Sequence, residues 1–132
     1  MIVLDASAVI ELLLNSANGL LVRDRIADPE ESLHAPHLLG VEVAQVLRRY
    51  VGSGALTTEV ARALLADLVA LDIDRYAHEP FLDRVWELRD NVTAYDAVYL
   101  ALAEVLDAPL LTFDGSLAAA PGHRASVELL SG

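Results

Sequence analysis

The chain has 132 residues, enough for one domain with its own core and too short for two. Its nine basic residues, all arginine, face twenty acidic ones for a net charge of −11, and 55% of the chain is hydrophobic, a composition that excludes disorder. The absence of lysine excludes P-loop and Schiff-base chemistry, and the absence of cysteine excludes thiol nucleophiles, disulfides and thiolate zinc sites.

In chain order, Met1-Ile-Val-Leu-Asp5 reads as a short buried strand ending in an acid. Helices are expected from Ser7 to Asn15 and from Gly19 to Ala27, the second broken by Asp28-Pro29. Ser32 to Pro36 suits a short strand. From His37 to Tyr50 the apolar residues Leu39, Val43, Val46, Leu47 and Tyr50 recur at helical spacing, and Gly52-Ser-Gly54 stops them. Thr57-Thr-Glu59 opens a helix expected to turn Val60, Leu64, Leu65 and Leu68 inward. Asp72 to Ala77 is a weaker strand, and Pro80 starts a helix carrying Phe81, Val85, Trp86 and Leu88.

Ala97-Val-Tyr-Leu-Ala-Leu-Ala103 is apolar on every side, which predicts a central buried helix. Pro109 to Phe113 is a strand, Asp114-Gly115 a turn, Ser116 to Ala120 a short helix and Ala125 to Leu130 a last strand. Alternating strands and helices predict an α/β domain over residues 1–132 with a parallel sheet covered on both faces. No apolar run approaches the ~18 residues of a membrane span, and no basic residue precedes the apolar N-terminus as in a signal peptide. The expectation is a cytoplasmic protein without membrane contact.

A charge of −11 opposes nucleic-acid binding unless some carboxylates hold divalent cations and so present a positive face to phosphate. Four acids fit that exception. Asp5 and Asp114 end predicted strands, where open α/β sheets bind ligands, and Glu42 and Asp96 lie in the first turns of helices starting from the same rim. Two carboxylates about 4 Å apart repel by ~4 kcal/mol at an effective dielectric near 20, so a cluster needs protons or cations. Oxygen donors without cysteine or a histidine triad favour Mg²⁺ or Mn²⁺ over zinc. Plainer roles are open to each acid: Asp5 as a helix cap, Asp96 in a capping box reaching back to Thr93, Asp114 as the cap of a turn, and Glu42 as a solvated flank.

Four strings carry a family resemblance: Met1-Ile-Val-Leu-Asp5-Ala-Ser7-Ala-Val, Val41-Glu42-Val-Ala-Gln-Val-Leu-Arg48-Arg49, Thr93-Ala-Tyr-Asp96-Ala-Val-Tyr-Leu-Ala-Leu-Ala103, and Leu110-Leu-Thr112-Phe-Asp114-Gly-Ser-Leu-Ala. In this order and spacing the chain resembles PIN-domain ribonucleases, specifically VapC-type toxins of type II bacterial toxin–antitoxin pairs. The resemblance implies a three-layer α/β/α fold with a five-stranded parallel sheet in the order 3-2-1-4-5. It implies an endoribonuclease using Mg²⁺, for which Mn²⁺ substitutes. The partners implied are RNA, a small antitoxin and a second copy of the chain. Asp5, Glu42, Asp96 and Asp114 match the family's acidic quartet as catalytic residues and metal ligands, and Ser7 and Thr112 match the hydroxyl positions beside it. Gly115 stands where a larger residue is frequent.

Arg48 and Arg49 are candidates for RNA phosphate, with solvated helix-end charges as the plainer reading. His34, His37, His78 and His123 lack metal spacing. Tyr95 and Tyr99 have the chemistry to stack on a base, but core positions suit them better, and Trp86 is expected in the core or a dimer interface. Two rivals follow from the same residues. One is an Asp-based phosphatase, disfavoured by Ser7 two residues after Asp5 and by the missing lysine. The other is a binding module without nuclease activity, whose acidic pocket accepts a partner's arginine.

Overall fold

The structure is a computed structural model and describes residues 1–131; Gly132, the last residue of the expected domain, lies outside them. Five strands, β1 (Ile2–Leu4), β2 (Leu33–Pro36), β3 (Ile73–Tyr76), β4 (Leu110–Thr112) and β5 (Val127–Leu129), form one sheet in the order β3-β2-β1-β4-β5. Each neighbouring pair is parallel. Seven α-helices surround it among the described residues: α1 (Ala6–Leu14), α2 (Ala17–Arg25), α3 (Leu38–Gly52), α4 (Thr58–Ala70), α5 (Leu82–Glu87), α6 (Ala94–Leu106) and α7 (Gly115–Ala119).

The sheet separates two cores, because successive side chains of a strand point to opposite faces. Ile2, Leu4 and Leu111 join Val9, Leu12, Leu39, Val43, Leu47 and Leu68 beneath α1 to α4. Val3 and Leu110 instead join Leu88, the Ala97–Ala103 stretch and Leu117 beneath α5 to α7. The central strands β1 and β4 are buried along their whole length and almost wholly apolar because both faces are covered, whereas the outer strands carry polar residues such as Asp74 and Glu128.

Sequence chemistry accounts for the helix ends. Asp5, Ser16, Thr57, Thr93 and Asp114 each accept a backbone N–H at the start of the following helix. Asn15 and Asp107 stop α1 and α6 in the left-handed conformation, at φ 54° and 49°. Helix α3 has no such cap at His37. The Nε2 atom of His78 accepts the Leu38 N–H at 2.9 Å instead, from the segment after β3.

Four expectations need correction. Val60 is 45% exposed, and the inward face of α4 is formed by Ala61 and Leu68 with Leu64 and Leu65 partly covered. The segment from Pro80 begins as a 3-10 turn, Glu79–Phe81, before α5 starts at Leu82. Of the two places expected for Trp86, the core is not the one it takes: it is 67% exposed on this chain, with the Arg89 guanidinium 4.7 Å from its ring centroid. Tyr95 is 62% exposed, because it faces away from the sheet at the first turn of α6. The apolar stretch after it behaves as expected, with every residue from Ala97 to Ala103 buried.

Candidate active site

Strand order reverses at β1, whose neighbours are β2 on one side and β4 on the other. The crevice beyond the carboxyl ends of β1 and β4 is where this class of sheet binds ligands. Asp5 follows β1 directly, and Asp114 lies two residues beyond β4. Helices α3 and α6 start at the same rim and carry Glu42 and Asp96 in their early turns.

Asp5 is 6% exposed and held by three hydrogen bonds, with acceptor capacity left on Oδ2. Its Oδ1 accepts the Ser7 hydroxyl at 2.7 Å and the Ala8 N–H at 2.9 Å, and its Oδ2 accepts the Thr112 hydroxyl at 2.5 Å. The hydroxyls are held in turn. Ser7 Oγ accepts the Phe113 N–H and Thr112 Oγ1 accepts the Asp114 N–H, each at 2.9 Å. A hydroxyl has one proton to donate, so two backbone amides orient both hydroxyls and both donate to one carboxylate. This network fixes the Asp114 loop to the start of α1. Ser7 and Thr112 thus occupy the orienting positions beside the acids.

Asp96 shows half of the expected capping box. Its N–H donates to Thr93 Oγ1 at 3.2 Å, but its carboxylate accepts no hydrogen bond among the described residues. Asp114 caps α7 through Oδ1, which accepts the Ser116 N–H at 2.9 Å and the Ser116 hydroxyl at 2.7 Å. Glu42 is half-buried on α3, and its Oε1 accepts the Tyr99 hydroxyl at 2.7 Å.

Burial and the charges of neighbouring acids act on three of the four carboxyl groups. Burial pushes the Asp5 carboxyl above its ordinary range; the bonds from Ser7, Thr112 and Ala8 oppose that, and the Asp114 charge adds to it. Burial also raises Glu42, against the Tyr99 bond and together with the charges of Asp96 and Asp5. Asp96 rises through burial and the charges of Asp114 and Asp5. Asp114 alone moves down, held ionised chiefly by the Ser116 hydroxyl. Burial first, then the Glu42 carboxylate, pushes the Tyr99 phenol far above its usual range, so it stays a donor.

Among the described residues no three carboxylates or imidazoles close on one point as a ready-made ligand set. Their mutual repulsion acts against such closure until a cation offsets it. The donor chemistry fits a hard divalent ion: carboxylates with neighbouring hydroxyls, and no thiol or imidazole bonded to them. Asp5 and Asp96 project from backbone fixed by β1 and by the Thr93 cap, whereas Glu42 reaches in from α3.

The two arginine candidates separate. Arg49 lines a groove of about 380 Å³ with Glu42, Gln45, Val41 and Tyr95, continuous with the acidic rim. Arg48 faces a different groove, of about 300 Å³ between α3 and α4, together with Arg62. A larger cleft, about 780 Å³, contains none of the four acids and is lined in part by Arg84, Glu104 and Arg124. His34 is buried between Ser32 Oγ and the Tyr76 hydroxyl and has a structural role. The bond from Tyr99 to Glu42 escaped sequence reasoning. A signal was present, since Tyr99 follows Asp96 by three residues and so shares its helix face.

Comparisons with known proteins agree with this arrangement. A family model described as the PIN domain matches residues 2–122. Ribonuclease VapC1 of Mycobacterium tuberculosis is 45% identical over 130 residues, which cover 97% of this chain and 96% of the relative. Two solved structures share the fold at lower identity. VapC20 of Mycobacterium tuberculosis, described as a sarcin-ricin loop cleaving toxin, has a TM-score of 0.69 at 16% identity, covering 90% of this chain and 94% of its own. VapBC2 of Rickettsia felis, solved bound to a fragment of its promoter DNA, has a TM-score of 0.72 at 12% identity, covering 99% and 100%. With a PIN-domain model matched over residues 2–122 and 45% identity to a VapC ribonuclease over nearly the full length of both chains, the chain belongs to the PIN-domain family, among its VapC ribonucleases.

Proposed function

We propose that this ribonuclease is a Mg²⁺-dependent endonuclease, with Mn²⁺ able to substitute, and the toxin of a toxin–antitoxin pair. The single observation that carries the reading is the position of Asp5 and Asp114 at the carboxyl ends of β1 and β4, where strand order reverses, with Glu42 and Asp96 in the early turns of helices that start at the same rim. Asp5 and Asp96 are the principal ligands, Glu42 joins them directly or through water, and Asp114 holds a second ion or steadies the attacking water. When bound there, a divalent cation supplies Lewis acidity and a positive face toward phosphate.

The residues then have distinct tasks. Ser7 and Thr112 hold both Asp5 oxygens in one orientation, so the carboxylate does not swing away from the crevice. Asp114, ionised and exposed at the start of α7, is placed to orient or deprotonate water. That water attacks phosphorus in line, the bond to the 3′-oxygen breaks, and the leaving oxygen takes up a proton. The products carry 5′-phosphate and 3′-hydroxyl ends. Arg49 contacts an RNA phosphate from the groove beside Glu42, and Tyr95, exposed in that groove, offers a ring on which a base stacks. Arg48 belongs to the other face.

A small antitoxin in the cytoplasm silences the enzyme, in keeping with the VapBC2 neighbour, and the active species is a homodimer. The test is cleavage of tRNA and ribosomal RNA by purified protein with Mg²⁺, Mn²⁺ or EDTA, alongside Asp5→Asn and Asp96→Asn. Cleavage lost in EDTA and in both variants, with 5′-phosphate ends, supports the reading. Cleavage that survives EDTA defeats the metal mechanism. An inactive protein that binds an arginine-bearing peptide but no Mn²⁺ supports the binding-module alternative.

A further inference from the structure

Tyr99 is a buried side chain that links the two helices bearing acids across the crevice. It stands one turn after Asp96 on α6, is 2% exposed, and donates its hydroxyl to Glu42 Oε1 at 2.7 Å. The helices belong to opposite layers: α3 packs Leu39, Val43 and Leu47 into one core, and α6 packs Ala97 to Ala103 into the other. The bond therefore spans the rim above the sheet. Asp5 has three donors to hold it and Asp114 has Ser116, while Glu42, with the longest of the four side chains, has Tyr99.

We propose that Tyr99 is a positioning residue for cation binding: its buried hydroxyl fixes one oxygen of Glu42 and leaves the other facing Asp5 and Asp96. The proposal rests on the cation-dependent reading above. Two features favour positioning over packing alone. The ring of Tyr99 lies wholly within the α6 core, so a phenylalanine would fill the same space, and the hydroxyl is needed only for its partner. Glutamate also has more rotamers to lose than aspartate, so an anchored Glu42 meets the ion with that freedom already removed. Groups that hold a ligating carboxylate commonly change metal affinity or activity by about 10-fold or more when removed.

The experiment is a double-mutant cycle read by calorimetry and by the electron paramagnetic resonance signal of free Mn²⁺. It uses wild type, Tyr99→Phe, Glu42→Gln and the double variant, with thermal unfolding in EDTA as the fold control. In the wild-type background Tyr99→Phe is expected to weaken Mn²⁺ binding about 10-fold. In the Glu42→Gln background it is expected to change nothing, because a residue acting through Glu42 has no effect once the carboxylate is gone. The Mg²⁺ concentration giving half-maximal cleavage rises in step, while the rate at saturating Mg²⁺ recovers. Glu42→Asp, too short to reach both the phenol and the ion, loses affinity similarly and provides the test should Tyr99→Phe not fold. Unchanged Mn²⁺ affinity in Tyr99→Phe or in Glu42→Asp, or an equal loss with and without the Glu42 carboxylate, overturns the proposal alone. A wild-type protein that binds no Mn²⁺ overturns it together with the cation-dependent reading.

Discussion

Asp5 shows how a residue with a plain structural role can also be the centre of a proposed functional one. It caps α1 through the Ala8 N–H, the role that a short polar side chain before Ala-Ser-Ala suggests. The same carboxylate is buried and collects the Ser7 and Thr112 hydroxyls, which a simple cap does not need. The sequence marks the position through an apolar strand ending in an acid, but it does not show that the Phe113 and Asp114 amides orient those hydroxyls. That relation joins residues more than a hundred apart, and only strand pairing brings them together. Thr112→Val keeps the shape while removing one donor to Asp5 and the acceptor for the Asp114 amide. It should cost about 2 kcal/mol in urea denaturation, the penalty for buried groups left unpaired, and weaken Mn²⁺ binding. A stability loss with unchanged Mn²⁺ affinity would separate Thr112 from the site.

Among the elements, those with strong local signals were readable and those set by tertiary contact were not. The all-apolar run of α6 and the caps at Asp5, Thr57, Thr93 and Asp114 were legible as chemistry, whereas the left-handed stops at Asn15 and Asp107 were not singled out. The shortened β5 and the exposure of Val60, Tyr95 and Trp86 were not legible, because apolar identity does not say which face of a helix meets the sheet. The His78 cap on α3 was equally hidden, since it comes from 40 residues away. Helices α1 and α2 pack so closely that a Cβ on Gly19 would fall inside contact distance of the Glu11 carbonyl. Gly19→Ala should therefore force the pair apart and cost about 1–3 kcal/mol, read as a lower Tm, with Mn²⁺ affinity unchanged. A neutral or stabilising effect would show that the two helices have room to shift.

Over the whole molecule, the sign of the charge decides how stability depends on pH and on cations. Asp5, Glu42 and Asp96 have carboxyl groups raised in the folded state, so the native protein binds more protons than the unfolded chain between ordinary carboxylate values and their raised ones. Their contribution is fully present below the unfolded values and is lost as pH rises through the folded ones. Asp114, Glu104 and Glu128 shift downward, so their contributions are lost only as pH falls below the ordinary carboxylate range. In EDTA, thermal unfolding should thus give a Tm that falls as pH rises through the raised carboxyl values, a gap that the buried His34 imidazole, favoured neutral in the fold, opposes at the acid end. Saturating Mn²⁺ should narrow the gap by stabilising the protein most at the higher pH, where the carboxylates are ionised. Asp96→Asn should shrink both the metal-free pH dependence and the Mn²⁺ effect. A Mn²⁺ stabilisation independent of pH would place the ion elsewhere.

On the proposed function, the same balance would let a chain of net charge −11 act on RNA: the acids that oppose phosphate binding would recruit its counter-charge. The most direct measurement is an anomalous difference map from crystals grown with Mn²⁺. The expected result is a peak beyond the carboxyl ends of β1 and β4, about 2.0–2.4 Å from carboxylate oxygens of Asp5 and Asp96, with Glu42 or Asp114 completing the oxygen set. A crevice without a peak at saturating Mn²⁺, or an ion bound only away from those four side chains, would contradict it.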